Sequence, residues 1–146
     1  MIQELFTREL FMPSLEATTK QEAIEEMVAK LDQAGLLNDK TAYLQAVLHR
    51  EAEYSTGIGM GVAIPHGKSG GVTTPGLVFA RSQAGVDFDS MDDLPTFLFF
   101  LIAVPEESAD THLKVLSSLS RKLMHQDVRD ALMKADSYDA IIQILE

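Results

Sequence analysis

The chain has 146 residues, and its 12 Lys and Arg against 22 Asp and Glu give a formal net charge of −10. This acidic excess excludes general binding to nucleic acid or to anionic membrane surfaces, because both require an excess of Lys and Arg. The absence of Cys excludes a disulfide framework, a thiolate metal site and a Cys nucleophile. The N-terminus has no continuous apolar core, and the longest apolar run, 97–104, is far short of the ~20 residues that span a bilayer. We therefore expect a cytoplasmic protein without membrane insertion, with one domain over residues 1–146.

Two amphipathic helices are predicted before the glycine-rich centre of the chain. The first begins after a capping box at Thr19, and Gly35 is a suitable C-terminal cap. A second helix, capped by Asn38 or Asp39, runs to about Glu53. Apolar residues of the first helix recur at the spacing of one helical face, at Ile24, Met27, Val28 and Leu31.

The second half of the chain alternates strand-like and helical segments. Segments 62–64, 77–80 and 97–104 are strand-like, and the last is apolar on both faces, which is typical of a central strand covered on both sides. Three further helices are expected: a long one capped by Asp110, and two shorter ones over 128–134 and 138–145. Helices before and after a group of strands predict an α/β fold, a three-layer α/β/α sandwich on a mixed sheet.

The glycine-rich segment matches neither of the common phosphate-binding motifs. The dinucleotide fingerprint G-x-G-x-x-G would require a third glycine where this chain has Val62, and it would also require a strand before the glycines and a helix after them. Five residues separate Gly61 from the Gly-Lys-Ser at 67–69, whereas a P-loop has four at this point, and loop-forming residues follow. We therefore predict no nucleotide site.

Three other residues are candidates for chemistry. His66 follows a short strand, between the restrictive Pro65 and the permissive Gly67, and the adjacent glycines could expose N–H groups to an anion. His112 is expected on the core-facing stripe in the first turn of its helix, where a neutral ring could donate to a phosphoryl oxygen. Arg50 lies near a helix end, where its planar fork could grip a phosphoryl group. Each has a structural alternative: a surface-loop His, a core His and an ordinary surface Arg.

The other two histidines are not predicted to be catalytic. His49 and Glu53 have the i, i+4 spacing of half a metal site, but no partner motif accompanies them. His125 is expected to act as a favourable charge at a helix end.

The sequence around His66 resembles the active-site signature of the fructose/mannitol-type enzyme IIA (EIIA) domains of the bacterial phosphoenolpyruvate-dependent sugar phosphotransferase system. The signature consists of Ser-Thr-Gly-Ile-Gly at 55–59 and Gly-Val-Ala-Ile-Pro-His-Gly at 61–67. Weaker matches occur in the right order and cover nearly the whole chain: Arg50-Glu51, Gly85-Val86-Asp87, 101–105 and His112-Leu113. One departure is Met60, where the family commonly has Asn, which places loop detail or partner preference in question.

The resemblance implies a phosphoryl carrier with an α/β/α fold. The matching His66 would accept a phosphoryl group from the histidine-containing phosphocarrier protein HPr and pass it to a EIIB domain, with fructose as the expected sugar. His112 would assist at the site, and Arg50 and Thr56 would bind the phosphoryl group. No metal and no cofactor would be required, because the donor is itself a phosphoprotein.

Two alternatives remain open from the sequence. Nitrogen-related regulatory EIIA proteins share the signature but act by binding other proteins. A metal hydrolase using His49, His66 and His112 is the third possibility.

Charge is uneven along the sequence. Segment 54–86 has no Asp or Glu but contains Lys68 and Arg81, so the segment holding His66 has a net positive charge. The acids that flank this segment are expected to form a rim that steers a basic partner: Glu51, Glu53, Asp87, Asp89, Asp92 and Asp93.

Overall fold

A computed structural model of the chain describes residues 2–108 and 111–146, except for the side chains at positions 111 and 112. Six helices lie within these ranges: α1 (Ile2–Leu5), α2 (Lys20–Gln33), α3 (Lys40–Glu53), α4 (Thr111–Leu123), α5 (Gln126–Lys134) and α6 (Tyr138–Leu145). A 3-10 turn spans Arg8–Leu10. The strands are β1 (Phe11–Met12), β2 (Gly57–Gly59), β3 (Val62–Ala63), β4 (His66–Ser69), β5 (Gly76–Val86) and β6 (Thr96–Pro105). None of the described helices is long and apolar enough to cross a membrane.

The six strands form one mixed sheet in the order β1-β5-β6-β3-β2, with β4 also paired to β6. Strands β5 and β6 are antiparallel, as are β2 and β3, whereas β3 and β4 run parallel to β6. One edge of β6 therefore carries β3 and β4 in succession, with Ala63 opposite Phe99 and His66 opposite Ile102. This arrangement places the candidate histidine beside the buried stretch of β6.

Helices cover the sheet in two groups. Helices α2 and α3 pack on each other and against β5 and β4, while α4 and α5 contact β6 and α6 packs on α5. Between Leu98 and Val104 every residue of β6 is buried, as expected for a strand whose two faces are both covered. The predicted sandwich on a mixed sheet is therefore confirmed.

The two predicted helix starts are also confirmed. The side-chain oxygen of Thr19 accepts the Glu22 N–H at the start of α2, and the carboxylate of Asp39 accepts the Ala42 N–H at the start of α3. Gly35 follows α2 with φ of +82°, the left-handed conformation that favours glycine after a helix. Asp110, the predicted cap of α4, lies outside the described residues.

Candidate functional site

His66 is the first residue of β4 and is half-buried. Helix α3 lies very close to this strand, because a Cβ atom built on Gly67 would come within 2.9 Å of Val47 Cγ2. Only glycine therefore permits this approach beside the imidazole. The sequence predicted a loop after a short strand here. Residues 66–69 instead pair in parallel with β6, so Gly-Lys-Ser lies in a strand, which agrees with the rejection of a P-loop.

One ring nitrogen of His66 has a fixed partner. Nδ1 lies 2.9 Å from the carbonyl oxygen of Ile64, which can only accept a hydrogen bond. Nδ1 must therefore carry the hydrogen, and in the neutral ring the lone pair resides on Nε2. The local backbone thus selects the tautomer in which Nε2 is the nucleophilic atom.

The start of β4 is anchored to the central strand through Ile102. Its N–H donates to the Pro65 carbonyl at 3.0 Å, and its carbonyl accepts the Tyr43 hydroxyl at 2.8 Å. Burial raises the pKa of Tyr43, so the phenol keeps its proton and remains a donor. These bonds satisfy buried polar groups directly beside His66 and limit movement of the strand that carries it.

A second chain segment runs alongside the residues that lead to His66. Gly57 pairs with Ala63, and the Ile64 N–H donates to the Thr56 carbonyl at 3.1 Å. Ile64 therefore has its N–H bonded to this segment and its carbonyl bonded to the His66 ring. The position of the imidazole thus depends on the position of Thr56.

Thr56 is buried, and both of its donors go to one carboxylate. Its N–H donates to Glu51 Oε1 at 3.1 Å, and its hydroxyl donates to Glu51 Oε2. The single hydroxyl hydrogen is thus committed to Glu51, and the phosphoryl-binding role of Thr56 remains a prediction that would require this hydrogen to reorient. Lys20 Nζ completes the cluster at 2.9 Å from Glu51 Oε1.

Glu51 corrects one part of the expected acidic rim. Its side chain is only 7% exposed and is bound to Lys20 and Thr56, so it cannot contribute to a surface that attracts a partner. The remaining rim residues are exposed, and their steering role remains a prediction. Sequence reasoning missed the function of Glu51 because its buried state depends on Lys20, which is distant in the sequence.

Arg50 lies in the last turn of α3 and is half-buried. Its Nη1 donates to the Tyr54 carbonyl at 2.8 Å, and its Cζ atom lies 4.8 Å from the centroid of the Tyr54 ring. This is its only hydrogen bond within the part of the chain that the structure describes. Nε and Nη2 therefore remain available as a pair of donors for an anion.

The remaining histidines have separate positions. Position 112 falls in the first turn of α4, as predicted, but the His112 side chain lies outside the described residues and its role remains a prediction. His49 is exposed on α3. His125 lies two residues after the end of α4 but is the N-cap residue of α5, so its predicted role as a favourable helix-end charge remains a prediction. Among the described residues, no group of three or more His, Asp or Glu could hold a metal ion.

Arg81 does not supply positive charge to the site. It pairs with Leu98 in the sheet, four residues or about 13 Å along β6 from the partner of His66. The guanidinium is buried and donates to the carbonyl groups of Leu132, Ala135 and Pro13. Burial lowers the pKa of Arg81, and the carboxylate of Asp136 opposes that shift. Of the two cations in segment 54–86, Arg81 therefore adds no charge around His66, whereas Lys68 lies two residues from His66 in β4.

Met60, the departure from the family pattern, occupies a tight turn between β2 and β3. Met60 and Gly61 have φ of 59° and 78°, the positive values of the hairpin turn that favours Asn-Gly. Asp92 Oδ2 accepts the Met60 N–H at 2.9 Å, and Oδ1 accepts the Leu94 N–H at 3.1 Å. These backbone hydrogen bonds lower the pKa of Asp92.

Comparison with known proteins gives a consistent assignment. A family model described as "Phosphoenolpyruvate-dependent sugar phosphotransferase system, EIIA 2" matches residues 4–146. The chain is 47% identical over 144 residues to the fructose-specific EIIABC component of Bacillus subtilis, a match that covers 99% of this chain and 23% of that larger protein. It is 46% identical over 127 residues to the fructose-specific EIIA component of Haloferax volcanii, covering 87% and 82% of the two chains. It is also 35% identical over 144 residues to a nitrogen regulatory protein of Bradyrhizobium diazoefficiens, covering 99% and 94%.

Solved structures show the same architecture. The nitrogen regulatory protein IIA-Ntr from Neisseria meningitidis matches with a TM-score of 0.89 at 33% identity, covering 98% of this chain and 97% of that chain. The mannitol enzyme IIA of Escherichia coli, solved in complex with phosphorylated mannitol enzyme IIB, matches with a TM-score of 0.81 at 29% identity, covering 97% and 98%. Because the family model and these relatives span nearly the whole chain, including the segment around His66, the protein belongs to the EIIA type 2 family of the phosphoenolpyruvate-dependent sugar phosphotransferase system.

Proposed function

We propose that this chain is a phosphoryl carrier in which Nε2 of His66 accepts a phosphoryl group from HPr and passes it to a EIIB domain for fructose uptake. The observation that carries the proposal is the hydrogen bond from Nδ1 to the Ile64 carbonyl, which leaves the lone pair on Nε2. Family membership supports the phosphotransfer role, and the two fructose-specific relatives at 46–47% identity favour fructose.

The first transfer exchanges one nitrogen–phosphorus bond for another. The Nε2 lone pair attacks phosphorus while the bond to the donor histidine of HPr breaks, and that histidine retains the bonding pair. The His66 ring then bears hydrogen on Nδ1 and phosphorus on Nε2, so it gains positive charge. The Ile64 carbonyl lies at 2.9 Å from Nδ1 and stabilises this charge as it develops. In the second transfer a nucleophile of the EIIB domain attacks phosphorus, the bond between Nε2 and phosphorus breaks, and Nε2 recovers the bonding pair.

Positioning and electrostatic support account for the rest of the transfer. The charge of a transferring phosphoryl group spreads over its equatorial oxygens. The free Nε and Nη2 edge of Arg50 can bind two of these oxygens, and we assign the second supporting role to His112. The donor arrives already phosphorylated, so neither a nucleotide nor a metal ion is part of this scheme.

The proposed partners follow from the family. The mannitol enzyme IIA of Escherichia coli was solved in complex with phosphorylated mannitol enzyme IIB, which supports a EIIB domain as the acceptor here. HPr is proposed as the donor because it is the phosphoprotein that the family resemblance implies.

Incubation with phosphoenolpyruvate, enzyme I and HPr tests the carrier function. We expect the mass increase of one phosphoryl group on the wild type and on His49→Gln, whose histidine is exposed on α3, but none on His66→Gln. Labelling of His66→Gln equal to wild type would contradict the proposal. Subsequent transfer to purified EIIB domains identifies the sugar, and we expect a fructose-type domain to be the fastest acceptor.

A second candidate function is regulation by protein binding. The nitrogen regulatory relative at 35% identity and the IIA-Ntr structure with a TM-score of 0.89 favour it. Phosphorylation of His66 without transfer to any sugar EIIB domain would support this alternative over sugar uptake.

A further inference from the structure

Tyr54 is an exposed aromatic residue placed between the end of α3 and the site. Its side chain is 73% exposed, and its backbone is extended, with φ of −167° and ψ of 154°. Tyr54 lies two residues before Thr56, whose carbonyl accepts the N–H of Ile64, and the Ile64 carbonyl is bonded to the His66 ring. Tyr54 therefore contacts Arg50, which lies three residues before the end of α3, and belongs to the segment that leads to Thr56.

We propose that Tyr54 is a positioning residue that holds the Arg50 guanidinium in the orientation that phosphoryl transfer needs, an inference that rests on the proposed function. Two contacts fix the guanidinium in different ways. The Tyr54 carbonyl accepts a hydrogen bond from Nη1 at 2.8 Å, and the ring lies 4.8 Å from Cζ. The hydrogen bond sets the direction of Nη1, and the contact with the ring stabilises the positive charge of the guanidinium.

The arrangement preserves the edge of Arg50 that an anion requires. The contact between Cζ and the Tyr54 ring is not a hydrogen bond, and the Tyr54 carbonyl accepts from Nη1 alone. Nε and Nη2 remain as two parallel donors, which is the geometry that binds two oxygens of one phosphoryl group. The aromatic contact therefore restrains the group without consuming its binding capacity.

An arginine at a helix C-terminus has competing partners when it is not restrained. The last carbonyl groups of α3 attract cations, and a free Arg side chain retains much rotamer freedom. The Tyr54 ring reduces this freedom before the phosphoryl group arrives. Within the described residues, the Tyr54 side chain makes no hydrogen bond and contacts no ring or cation apart from Arg50. Its substitution is therefore expected to leave the core intact.

Transfer from a small phosphoryl donor separates positioning from partner contact. Rates are measured with phosphoramidate, which needs no protein interface, and with phosphorylated HPr. Because exposed cation–π contacts are weak, we expect Tyr54→Leu to lower both rates by about two- to fivefold. Tyr54→Phe retains the ring face and is expected to restore the wild-type rate. In an Arg50→Ala background, Tyr54→Leu is expected to have no further effect, because its contribution acts through Arg50.

A rate loss with phosphorylated HPr alone would overturn the inference, because it would show that Tyr54 contacts the partner. A loss of equal size in the Arg50→Ala background would also overturn it. Failure of the proposed function itself is distinct, because it appears as a wild type that takes no phosphoryl group on His66 from either donor.

The Arg50 side chain gives a readout that does not depend on transfer. In the 15N–1H spectrum of Tyr54→Leu, we expect the chemical shift of the Arg50 Nε–H signal to move to that of an unrestrained arginine side chain. In Tyr54→Phe, we expect it to keep the wild-type chemical shift. Arg8 lies 4.8 Å from the Tyr138 ring in a separate part of the fold, so its signal is the internal control and should not change. An unchanged Arg50 signal in Tyr54→Leu would overturn the positioning role.

Discussion

Two arginines show how this fold separates structural charge from functional charge. Arg81 is 6% exposed and gives its hydrogen bonds to three backbone carbonyl groups on two distant parts of the chain. Arg50 is half-buried, gives one hydrogen bond to the Tyr54 carbonyl and has its Cζ atom 4.8 Å from the centroid of the Tyr54 ring. The first guanidinium joins β5 to the end of α5. The second retains an edge that can bind an incoming group.

The difference lies in which donors are already used rather than in the residue type. A guanidinium surrounded by carbonyl groups has little capacity left for a ligand, whereas one that uses a single donor nitrogen keeps two parallel N–H groups. The following variants test this distinction between an architectural region around Arg81 and a site region around Arg50 and His66.

The largest effect is expected from Arg81→Met. The substitution leaves three carbonyl groups without their charged donor, so the free energy of unfolding should fall by about 3 kcal/mol. The rate of phosphoryl transfer per folded molecule should remain that of wild type. Urea denaturation and single-turnover transfer measure the two quantities. Arg8→Met is the control, since Arg8 pairs with Asp139 on an exposed surface and should cost less than about 1 kcal/mol. If Arg81→Met is as stable as the wild type, the structural role assigned to Arg81 is contradicted.

Glu51→Gln is expected to affect both regions. The variant removes the charge that pairs with Lys20 and one of the acceptors that hold Thr56, so stability should fall by about 2 kcal/mol. Because Thr56 positions Ile64, which binds the His66 ring, transfer should also slow. Glu53→Gln is the matched control on the same helix, where the exposed side chain should change stability by less than about 0.5 kcal/mol. A lower free energy of unfolding with an unchanged rate of phosphoryl transfer would show that Glu51 stabilises the fold but does not position His66.

Met60→Asn should raise stability. The residue has φ of 59° in a hairpin turn that favours Asn, and relief of this conformation is worth about 1 kcal/mol. Thermal or urea unfolding measures the gain, and the rate of transfer from phosphoramidate to His66 should be unchanged. Met91→Asn is the control, because Met91 is exposed and does not have a positive φ. Equal effects of the two substitutions would show that the turn is not strained.

The smallest effect is expected from Asp92→Asn, which should change how the free energy of unfolding depends on pH. Its pKa in the folded chain lies below the ordinary value of 3.8, so its stabilisation is complete above that value and is lost as pH falls through the folded-state pKa. Asp92→Asn should therefore be less stable than wild type at about pH 7, and the difference should shrink as pH falls below 3.8 and through the folded-state pKa. Asp93→Asn, which alters an exposed neighbour, should follow wild type across this range. A constant difference between wild type and Asp92→Asn would show that ionisation of Asp92 is not involved.

Much of the fold was predictable because it depends on local patterns. The capping residues Thr19 and Asp39 and the apolar run of β6 each encode an element within a few residues. Strand β4 was missed because it is short and mostly polar, and it exists through pairing with β6 and cover by α3. Such pairing between distant residues leaves no local period to detect.

The candidate site shows the same division between features encoded by local sequence patterns and features that depend on contacts between distant residues. His66 and Arg50 stand out from sequence motifs and family resemblance. Three other features depend on contacts between elements or on the direction of the backbone after a helix. They are the buried cluster around Glu51, the burial of Arg81 and the contact of Arg50 with the Tyr54 ring. Sequence spacing could not indicate which of these charges would remain available to a ligand.

The most direct test of the central claim is 31P and 15N NMR of the phosphorylated protein. The hydrogen bond from Nδ1 to the Ile64 carbonyl predicts a one-bond phosphorus coupling to Nε2 of His66 and a retained hydrogen on Nδ1. Phosphorus coupled to Nδ1, or located on another residue, would contradict the account.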